Sequence, residues 1–313
     1  MTATSAEVLV AGEYYCDLIF AGLDGIPRLG AEQYAESLAI VPGGTYTMAL
    51  ALTRLGVNAR WAASFGNDIF SRCVLDAARQ DGIDASAFTV EPMPAPRISA
   101  AFSLRGERGF ISYASPPIEP PPPGIAALQS PVWLLQTFRF EAGWLEFIAG
   151  VKSRGARVFA DCRHVTFSLD TPGVRKFLSL VDVFSPNAAE AMALTGSSDL
   201  DGAIAILKPL VPILAIKCGS DGARLVGDGT SIVVPAPSVS IVDTVGAGDA
   251  FNAGYLFALL HGLSHRAALQ AAVLCGTLST TAPGGRGCPT RDALADFART
   301  CGWQLDGTVM RHH

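Results

Sequence analysis

The chain has 313 residues, half of them hydrophobic, and a formal net charge of −5. This length and composition allow a large buried core, and the low, scattered charge excludes the dense basic face of a nucleic-acid-binding protein. The seven cysteines are widely spaced without a C-x-x-C pair, which argues against a disulfide framework or a zinc site.

The N-terminus and the apolar runs bear on location. The opening "MTATSAEVLV" lacks a basic segment followed by an apolar one, and no uncharged apolar run reaches membrane-spanning length. We therefore expect a cytoplasmic protein that has neither a membrane nor a nucleic acid as a partner.

The first third of the chain predicts two strand–turn–helix units. "EVLVAGEYYCDLIF" predicts a buried strand that runs into a loop, and "TYTMALALTRLG" predicts a helix that ends at Gly56. "NARWAASFG" predicts a second strand, and "IFSRCVLDAARQDG" a second helix that ends at Gly82. Such alternation is typical of a parallel sheet covered by helices.

A hairpin then interrupts the alternation. "RISAAFSLRGERGFISYA" alternates apolar and polar residues around a charged turn, which predicts a β-hairpin. It indicates a small antiparallel sheet that stands off the main body, and residues 18–41, which carry few helix signals, are candidates for its other strands. The proline-rich "SPPIEPPPPG" predicts a stiff connector back to the main body.

The alternation resumes in the second half. Strands are predicted at "VWLLQTF", "RVFADCR" and "DVFSPN", and helices at "AGWLEFIAGVKSRG", "AAEAMALTG" and "TPGVRKFLSLV", the last with Pro172 in its first turn. "VPILAIKCGSDGARLV" predicts two strands about a turn, and the last fifty residues are mostly helical. The fold class is therefore α/β, a doubly wound and mostly parallel sheet with helices on both faces. Ligands of such sheets bind beyond the carboxyl ends of the strands.

One glycine-containing stretch suggests chemistry. "SIVDTVGAGDAFNAGYLFALLHG" predicts a strand, a glycine turn and a helix, so the amides of Gly246, Ala247 and Gly248 would point at an anion in the strand-end cleft. Asp249 follows this turn directly. A carboxylate there suits a general base for an alcohol that attacks a phosphoryl group, and it equally suits a plain helix N-cap.

The same stretch resembles a family motif. "DTVGAGDAFNAG" resembles the C-terminal motif of the ribokinase-like (PfkB-type) carbohydrate kinases, and every fixed position of that motif matches: Asp243, Thr244, Gly246, Ala247, Gly248, Asp249, Phe251 and Gly254. The resemblance implies that Asp249 deprotonates the acceptor hydroxyl and that the turn amides hold the charge on the transferred group. It also implies a single kinase domain over residues 1–313, with a β lid formed by about 18–41 and 95–117.

The resemblance extends to the predicted acceptor side. In "VAGEYYCDLIF", Asp17 matches an aspartate that binds substrate hydroxyls, although a turn or cap aspartate is the alternative interpretation. "PGGTYTMALALTRLG" resembles the glycine motif that approaches the sugar, with Gly43, Gly44 and Thr47 as its matching positions.

The resemblance also implies a nucleotide site. "SPNAAEAMALTG" contains Asn187 and Glu190 of an Asn-x-x-Glu motif that organises Mg²⁺, through water, and the phosphates of ATP. A capping box at a helix start explains the same two residues. "IKCGSDGARLV" places Lys217, Gly219 and Gly222 beside the nucleotide, and by itself it predicts a hairpin turn.

A potassium ion is a further implication of the resemblance. In "TLSTTAPGGRGCPTRDAL", the segment that resembles the closing loop of the family, Ala282 and Gly285 are candidate carbonyl ligands, together with Asp243 and Val245 of the Asp-Thr motif. Relatives also often dimerise through the lid, so a homodimer is expected, with Phe102, Phe110 and Tyr113 as candidate contacts.

The departures from the family pattern lie on the substrate side. Thr47 stands where the family has an asparagine, Ser71 where it has glycine, and Phe138 about where some ribose-specific relatives have a glutamate. The acceptor therefore stays open among sugars, polyols and nucleosides. Three further side chains, Arg139, Arg163 and His164, fall near strand ends and are candidates for substrate contact, with a structural or surface role favoured.

Two alternative functions stay open. A nucleoside kinase of the same family would need an aromatic platform for the base, for which Tyr14, Tyr15 or Phe102 are candidates. A catalytically silent sugar sensor would have no need of Asp249 or of the Asn-x-x-Glu motif. A dinucleotide oxidoreductase fits the alternation, but no G-x-G-x-x-G opens the first helix.

Overall fold

The computed structural model describes residues 7–104, 107–115, 131–162 and 165–305. The predicted proline-rich connector, the tip of the hairpin at residues 105–106, and Arg163 and His164 lie outside the described residues. Within these ranges the strands form two sheets, a main sheet of nine strands and a small sheet of four. None of the helices described there is long and apolar enough to cross a membrane.

The main sheet is mostly parallel, as predicted. Its strands are β1 (Val8–Ala11), β4 (Ala59–Phe65), β5 (Phe88–Val90), β8 (Trp133–Thr137), β9 (Arg157–Asp161), β10 (Val183–Ser185), β11 (Ile213–Lys217), β12 (Ala223–Gly227) and β13 (Thr230–Val234). They lie in the order β13-β12-β11-β10-β9-β8-β1-β4-β5. Strands β11 to β5 in this order are parallel, and β12 and β13 add an antiparallel edge.

Helices cover both faces of this sheet. They are α1 (Thr45–Arg54), α2 (Ile69–Gln80), α3 (Ala142–Ser153), α4 (Val174–Leu180), α5 (Ala188–Thr195), α6 (Leu200–Leu207), α7 (Ala247–Leu260), α8 (His265–Ser279) and α9 (Arg291–Thr300). Alternate strand residues enter two separate apolar clusters: Leu135 packs with α1, α7 and α8, whereas Leu134 packs with α3 to α6. This period of two makes the sheet the middle layer of the predicted doubly wound fold.

The small sheet contains β2 (Tyr14–Ala21), β3 (Ser37–Gly44), β6 (Arg97–Leu104) and β7 (Glu107–Ala114), in the order β3-β2-β6-β7. The predicted hairpin is β6 and β7, and the segment 18–41 contributes strands as expected. The prediction of an antiparallel sheet is correct for the pairs β2–β3 and β6–β7 and wrong for β2 and β6, which pair in parallel. Strand β2 follows β1 after two residues and β6 follows β5 after six, and β1 and β5 run in the same direction in the main sheet.

The opening segment is two strands rather than the predicted one. It divides at Gly12 and Glu13, where the chain passes from the main sheet to the small sheet. Gly12 has a φ of +137°, and a Cβ there would lie 2.9 Å from both Thr45 and Thr137. The carbonyl of Glu13 accepts hydrogen bonds from the amide and the hydroxyl of Thr45, at 2.9 Å each, which fixes this crossing to the start of α1.

Two other local predictions were wrong. The residues before the glycine turn form no strand: the amides of Val242 and Asp243 donate instead to the carbonyl of Thr280, at 2.8 and 3.1 Å. Pro172 precedes α4 rather than lying in its first turn, because Gly173, with φ +92°, turns the chain immediately before the helix begins.

Candidate active site

The glycine turn, defined as Gly246, Ala247 and Gly248, opens helix α7 at the carboxyl edge of the main sheet. Gly246 is the N-cap residue and has a φ of +79°, which favours glycine. Asp249 is the third helical residue, so it is not the N-cap that the simpler interpretation required. The first-turn amides of a helix have no acceptor within the helix, although that of Ala247 donates to the carbonyl of Thr244 at 3.3 Å.

The turn faces a cavity of about 520 Å³, which we call the phosphate cavity. All the residues predicted to bind nucleotide or to act in transfer line this cavity. They are Asn187, Glu190, Lys217, Gly219, Gly222, Gly246, Ala247, Gly248 and Asp249. The structure therefore brings together residues from three separate segments of the sequence at the end of the sheet where ligands of such folds bind.

Asn187 and Glu190 form a complete capping box at the start of α5. The Asn187 side chain accepts from the amide of Glu190, and the Glu190 carboxylate accepts from the amide of Asn187, both at 2.8 Å. The capping interpretation is therefore confirmed. Since both side chains also line the phosphate cavity, capping holds two polar side chains rigidly beside it.

Lys217 ends β11 and pairs with Asp161, which ends β9. Burial alone would lower the pKa of Lys217, but the charges of Asp161 and Glu190 outweigh it and the pKa is raised, so the lysine stays protonated. Sequence reasoning missed Asp161, which also lines the phosphate cavity. The only signal was an acid that ends a buried strand in "RVFADCR".

Asp249 lies in a strongly negative environment. Burial, followed by the charge of Asp161, raises the pKa of Asp249 well above its ordinary value, and Lys217 opposes the rise. The charge of Asp17 contributes to the rise as well. The predicted base and the predicted acceptor-binding acid are thus close enough to interact across the cleft.

Asp17 lies on β2 with 7% of its surface exposed. Its carboxylate occupies the space above Gly43 on the neighbouring strand: a Cβ on Gly43 would lie 1.9 Å from Oδ2 of Asp17. Gly44 has a φ of +66°, and a Cβ there would lie 2.5 Å from the carbonyl of Glu13. The glycine pair therefore makes room for the aspartate and for the passage of β3 into α1.

Thr47 lies beneath the glycine turn. It is 1% exposed, and its methyl group would be 2.8 Å from a Cβ on Gly246 and 3.3 Å from one on Gly285. Among the described residues, its hydroxyl has no hydrogen-bond partner. This position supports the turn directly, and a substrate contact through the buried hydroxyl stays a prediction.

Asp243 ties the loop before the glycine turn to the loop after α8. Its carboxylate accepts from the amide of Val245 at 3.1 Å and from that of Gly284 at 2.7 Å. The residues proposed as potassium ligands, which include Ala282 and Gly285, therefore belong to one connected pair of loops. In the structure the Asp243 carboxylate accepts hydrogen bonds from two backbone amides of this chain. The potassium site stays a prediction.

A second cavity of about 440 Å³ separates the small sheet from the loop that contains Asp243, Thr244 and Val245. Ile19, Ala39 and Ala101 are side chains of its wall on the small sheet, in register with one another across β3, β2 and β6. They lie two residues along the strands from Asp17 and its neighbours, on the same face. The predicted acceptor side is therefore polar near Asp17 and largely apolar further out.

Two of the substrate-side departures, Ser71 and Phe138, and the candidate substrate contact Arg139 have structural explanations. The hydroxyl of Ser71 bonds to the hydroxyl of Tyr14 at 2.9 Å and accepts from the amide of Gly66 at 3.1 Å. Phe138 is fully buried among other phenylalanines. Arg139 is 4% exposed and pairs with Glu13 at the sheet junction. Each of the three has a structural role.

The aromatic side chains proposed as a nucleoside platform are engaged elsewhere. Tyr14 is 1% exposed and stacks on Phe65, with ring centroids 4.8 Å apart. The hydroxyl of Tyr15 donates to Glu13 at 2.7 Å. Phe102 covers Gly109, where a Cβ would lie 2.2 Å from its ring. No observation at these positions favours a nucleoside over a sugar.

The comparisons with known proteins agree with this geometry. Residues 141–292 match the family model described as pfkB family carbohydrate kinase. The chain is 29% identical over 284 residues to the 2-dehydro-3-deoxygluconokinase of Bacillus subtilis (strain 168), which covers 82% of this chain and 85% of that protein.

Two solved structures show the same fold. The ribokinase of Arabidopsis thaliana, complexed with ribose and ATP, matches with a TM-score of 0.80 at 20% identity over 99% of this chain and 100% of its own. A putative ribokinase II from E. coli, in complex with ATP and Mg²⁺, matches with a TM-score of 0.74 at 23% identity over 94% of this chain and 99% of its own.

A strand-end cavity with a glycine turn at a helix N-terminus, an adjacent acid and a small second sheet fits a small-molecule kinase. The motif match, the family model and the relatives narrow this class further. Residues 141–292 match the PfkB carbohydrate kinase domain, as the C-terminal motif predicted, and the expectation of a carbohydrate kinase is confirmed.

Proposed function

We propose that the protein transfers the γ-phosphoryl group of ATP to a hydroxyl of a sugar or polyol, with Asp249 as the general base. The position of Asp249 carries this proposal. It lies beside the glycine turn, on the wall of the phosphate cavity and within electrostatic reach of Asp17. A base, an anion-binding turn and an acceptor-binding acid in this arrangement support phosphoryl transfer to an alcohol.

The transfer step follows from these positions. The acceptor oxygen forms a bond to the γ-phosphorus while the bond from that phosphorus to the bridging oxygen breaks, and its electron pair stays on ADP. Asp249 takes the hydroxyl proton. Burial and the charge of Asp161 raise the pKa of Asp249, which makes its ionised carboxylate a stronger base. The turn amides and the dipole of α7 stabilise the charge on the transferred group.

The residues present fit a nucleoside triphosphate with Mg²⁺. Gly246 and Gly248 leave the backbone open to a phosphate, and a cavity of about 520 Å³ has room for the nucleotide. Bound Mg²⁺ would neutralise phosphate charge, with Asn187 and Glu190 holding its water ligands. Gly219 and Gly222 would border the nucleotide through the turn between β11 and β12.

On the acceptor side, Asp17 would accept hydrogen bonds from hydroxyls, with Gly43 and Gly44 at close range and Thr47 beneath. The predicted lid, residues of about 18–41 and 95–117, would close over the acceptor. Closure would exclude water, which otherwise competes as a phosphoryl acceptor.

We also propose that the protein forms a homodimer and binds a potassium ion. The edge strand β7 exposes Phe110 and Tyr113 by more than half, and exposed apolar groups on a sheet edge favour association. Light scattering on the full chain tests the dimer. Turnover with K⁺ replaced by Na⁺ tests the ion.

The experiment that tests the function is an acceptor screen. The protein would be mixed with Mg²⁺, ATP and single members of a panel of sugars, sugar acids, polyols and nucleosides, with ADP release and the mass of the product as readouts. We expect a phosphorylated sugar or polyol. Turnover of nucleosides alone would favour the nucleoside kinase, and ligand binding without phosphoryl transfer across the panel would favour the sensor.

A further inference from the structure

The ammonium of Lys217 lies against the glycine turn. A Cβ on Gly248 would be 3.3 Å from Nζ of Lys217 and 3.6 Å from its Cδ and Cε. The same Nζ pairs with the carboxylate of Asp161, and the two side chains are 14% and 11% exposed. One strand-end acid therefore holds the lysine ammonium at the point where the first-turn amides of α7 face the cavity.

The charges around this ammonium are negative. Asp161, Glu190 and Asp249 all raise the pKa of Lys217 through their charge. A polyphosphate that enters the phosphate cavity adds further negative charge to this group of three carboxylates. A fixed cation at the glycine turn would offset that charge where it is densest, next to the base.

The position of Nζ also distinguishes two possible roles of Lys217, which are binding of the nucleotide and stabilisation of the transition state. A lysine that only binds the nucleotide would stabilise bound ATP and the transition state equally. A cation at the glycine turn faces the group that moves, so its interaction strengthens as charge develops on that group in transfer. The short distance to Gly248, in the turn beside Asp249, favours the second role.

We infer that Lys217 contacts the phosphoryl group during transfer and that Asp161 is the positioning residue that holds its ammonium at the glycine turn. The inference rests on the proposed phosphoryl transfer. Lys217 keeps its proton throughout, so the bonds made and broken are those of the transfer step already described.

The test compares Lys217→Met, Lys217→Arg, Asp161→Asn and the double variant Asp161→Asn/Lys217→Met. Lys152→Met is the matched control, because Lys152 also pairs with an acid, Asp182, at 2.5 Å, but outside the phosphate cavity. Melting temperatures and circular dichroism show which variants fold. Kinetic constants are then measured with the acceptor found in the screen.

We expect Lys217→Met to lose about 10²-fold in kcat, the usual cost of removing one transition-state donor, with the KM for ATP nearly unchanged. Lys217→Arg should recover part of the loss. Asp161→Asn should lose about tenfold, and the double variant should be no worse than Lys217→Met, because residues that act as a unit are not additive. Lys152→Met should keep the wild-type kcat.

A second measurement does not depend on turnover. Calorimetry would compare the binding of Mg²⁺–ADP with that of Mg²⁺–ADP plus aluminium fluoride, which imitates the transferred group. We expect Lys217→Met and, in part, Asp161→Asn to lose the extra affinity for the fluoride complex while the affinity for ADP is kept.

Three results would overturn the inference: an ATP KM that rises in Lys217→Met at unchanged kcat, full additivity of the two losses, or an unchanged preference for the fluoride complex. If Lys217→Met does not fold, Lys217→Arg and Asp161→Asn decide the question by the same measurements. A wild-type protein that phosphorylates nothing in the panel contradicts the proposed function instead, and the calorimetry still decides the role of Lys217.

Discussion

Asp17 and Asp243 oppose each other electrostatically where the small sheet meets the loop before the glycine turn. Burial, followed by the charge of Asp243, raises the pKa of Asp17 from 3.8 to about 7. Asp243 is itself held by the amides of Val245 and Gly284. The acid proposed to bind the acceptor therefore changes its charge near neutral pH.

The first prediction is a pH-dependent acceptor affinity. Ionised Asp17 accepts hydroxyl hydrogen bonds more strongly than the neutral acid, so the acceptor KM should fall as the pH rises through about 7. Asp17→Asn should have a higher KM at pH 8 and no such step. The measurement is KM from pH 5.5 to 9 at saturating ATP, and a wild-type KM that stays flat over this range would contradict the role of Asp17.

Stability provides an independent check of the same carboxyl. Its pKa is raised on folding, so the stability present below about pH 4 is lost as the pH rises through about 7. The Asn variant lacks this loss. Its free energy of unfolding relative to the wild type should therefore increase between pH 4 and 7, by at most about 1.4 kcal/mol per pH unit.

A second prediction concerns the space between Asp17 and Gly43. An alanine at position 43 would place its Cβ 1.9 Å from Oδ2 of Asp17, so the carboxylate must move. We expect Gly43→Ala to raise the acceptor KM by about tenfold to a hundredfold, the order that a displacement of about 1 Å costs. Gly150→Ala is the control, since a Cβ there meets only Arg154, at 3.7 Å. Equal KM values for the two variants would show that Asp17 does not bind the acceptor.

The third prediction is the loss of catalysis in Asp249→Asn. Removing a general base costs about 10²–10⁴-fold in kcat, and the amide keeps the shape of the side chain. Since the pKa of Asp249 is raised by burial and by Asp161, its ionisation destabilises the fold. The variant should therefore be at least as stable as the wild type above neutral pH. Turnover within tenfold of the wild type, together with unchanged ADP binding, would remove Asp249 from the chemistry.

Local patterns in the sequence predicted much of the site. The glycine turn, Asp249 and the Asn187–Glu190 pair were all found, because each lies within one short segment whose helix start has a recognisable pattern. The alternation of strands and helices predicted the main sheet for the same reason. These patterns are local, so they predicted only the features that a short segment of the sequence determines.

Features that depend on distant contacts were missed. Asp161 is 56 residues from Lys217 in the sequence, and no local pattern distinguishes it from other acids that end strands. The break between β1 and β2 depends on Gly12 packing against Thr45 and Thr137, which approach only in the folded chain. The parallel pairing of β2 with β6 joins strands that are distant in the sequence.

The last prediction concerns Ser71, where the family pattern has glycine. Its hydroxyl accepts from the Gly66 amide, donates to Asp68 at 2.9 Å and bonds to the buried hydroxyl of Tyr14. Ser71→Ala would remove the acceptor of the buried Gly66 amide and one partner of the tyrosine hydroxyl, which also interacts with Arg97. We expect a loss of about 1–3 kcal/mol in the free energy of unfolding, the cost of an unsatisfied buried group. The kcat and both KM values should stay unchanged.

A double-mutant cycle with Tyr14→Phe checks the cause. Each single change breaks the hydrogen bond between Tyr14 and Ser71, so the double variant should lose clearly less stability than the sum of the two single changes. Urea unfolding of the four proteins measures the difference. Additive losses would show that the hydrogen bond between Tyr14 and Ser71 contributes little. A changed acceptor KM in Ser71→Ala would instead place Ser71 in the binding site, because the hydrogen bonds of its hydroxyl in the structure go to Tyr14, Gly66, Asp68 and Ala95.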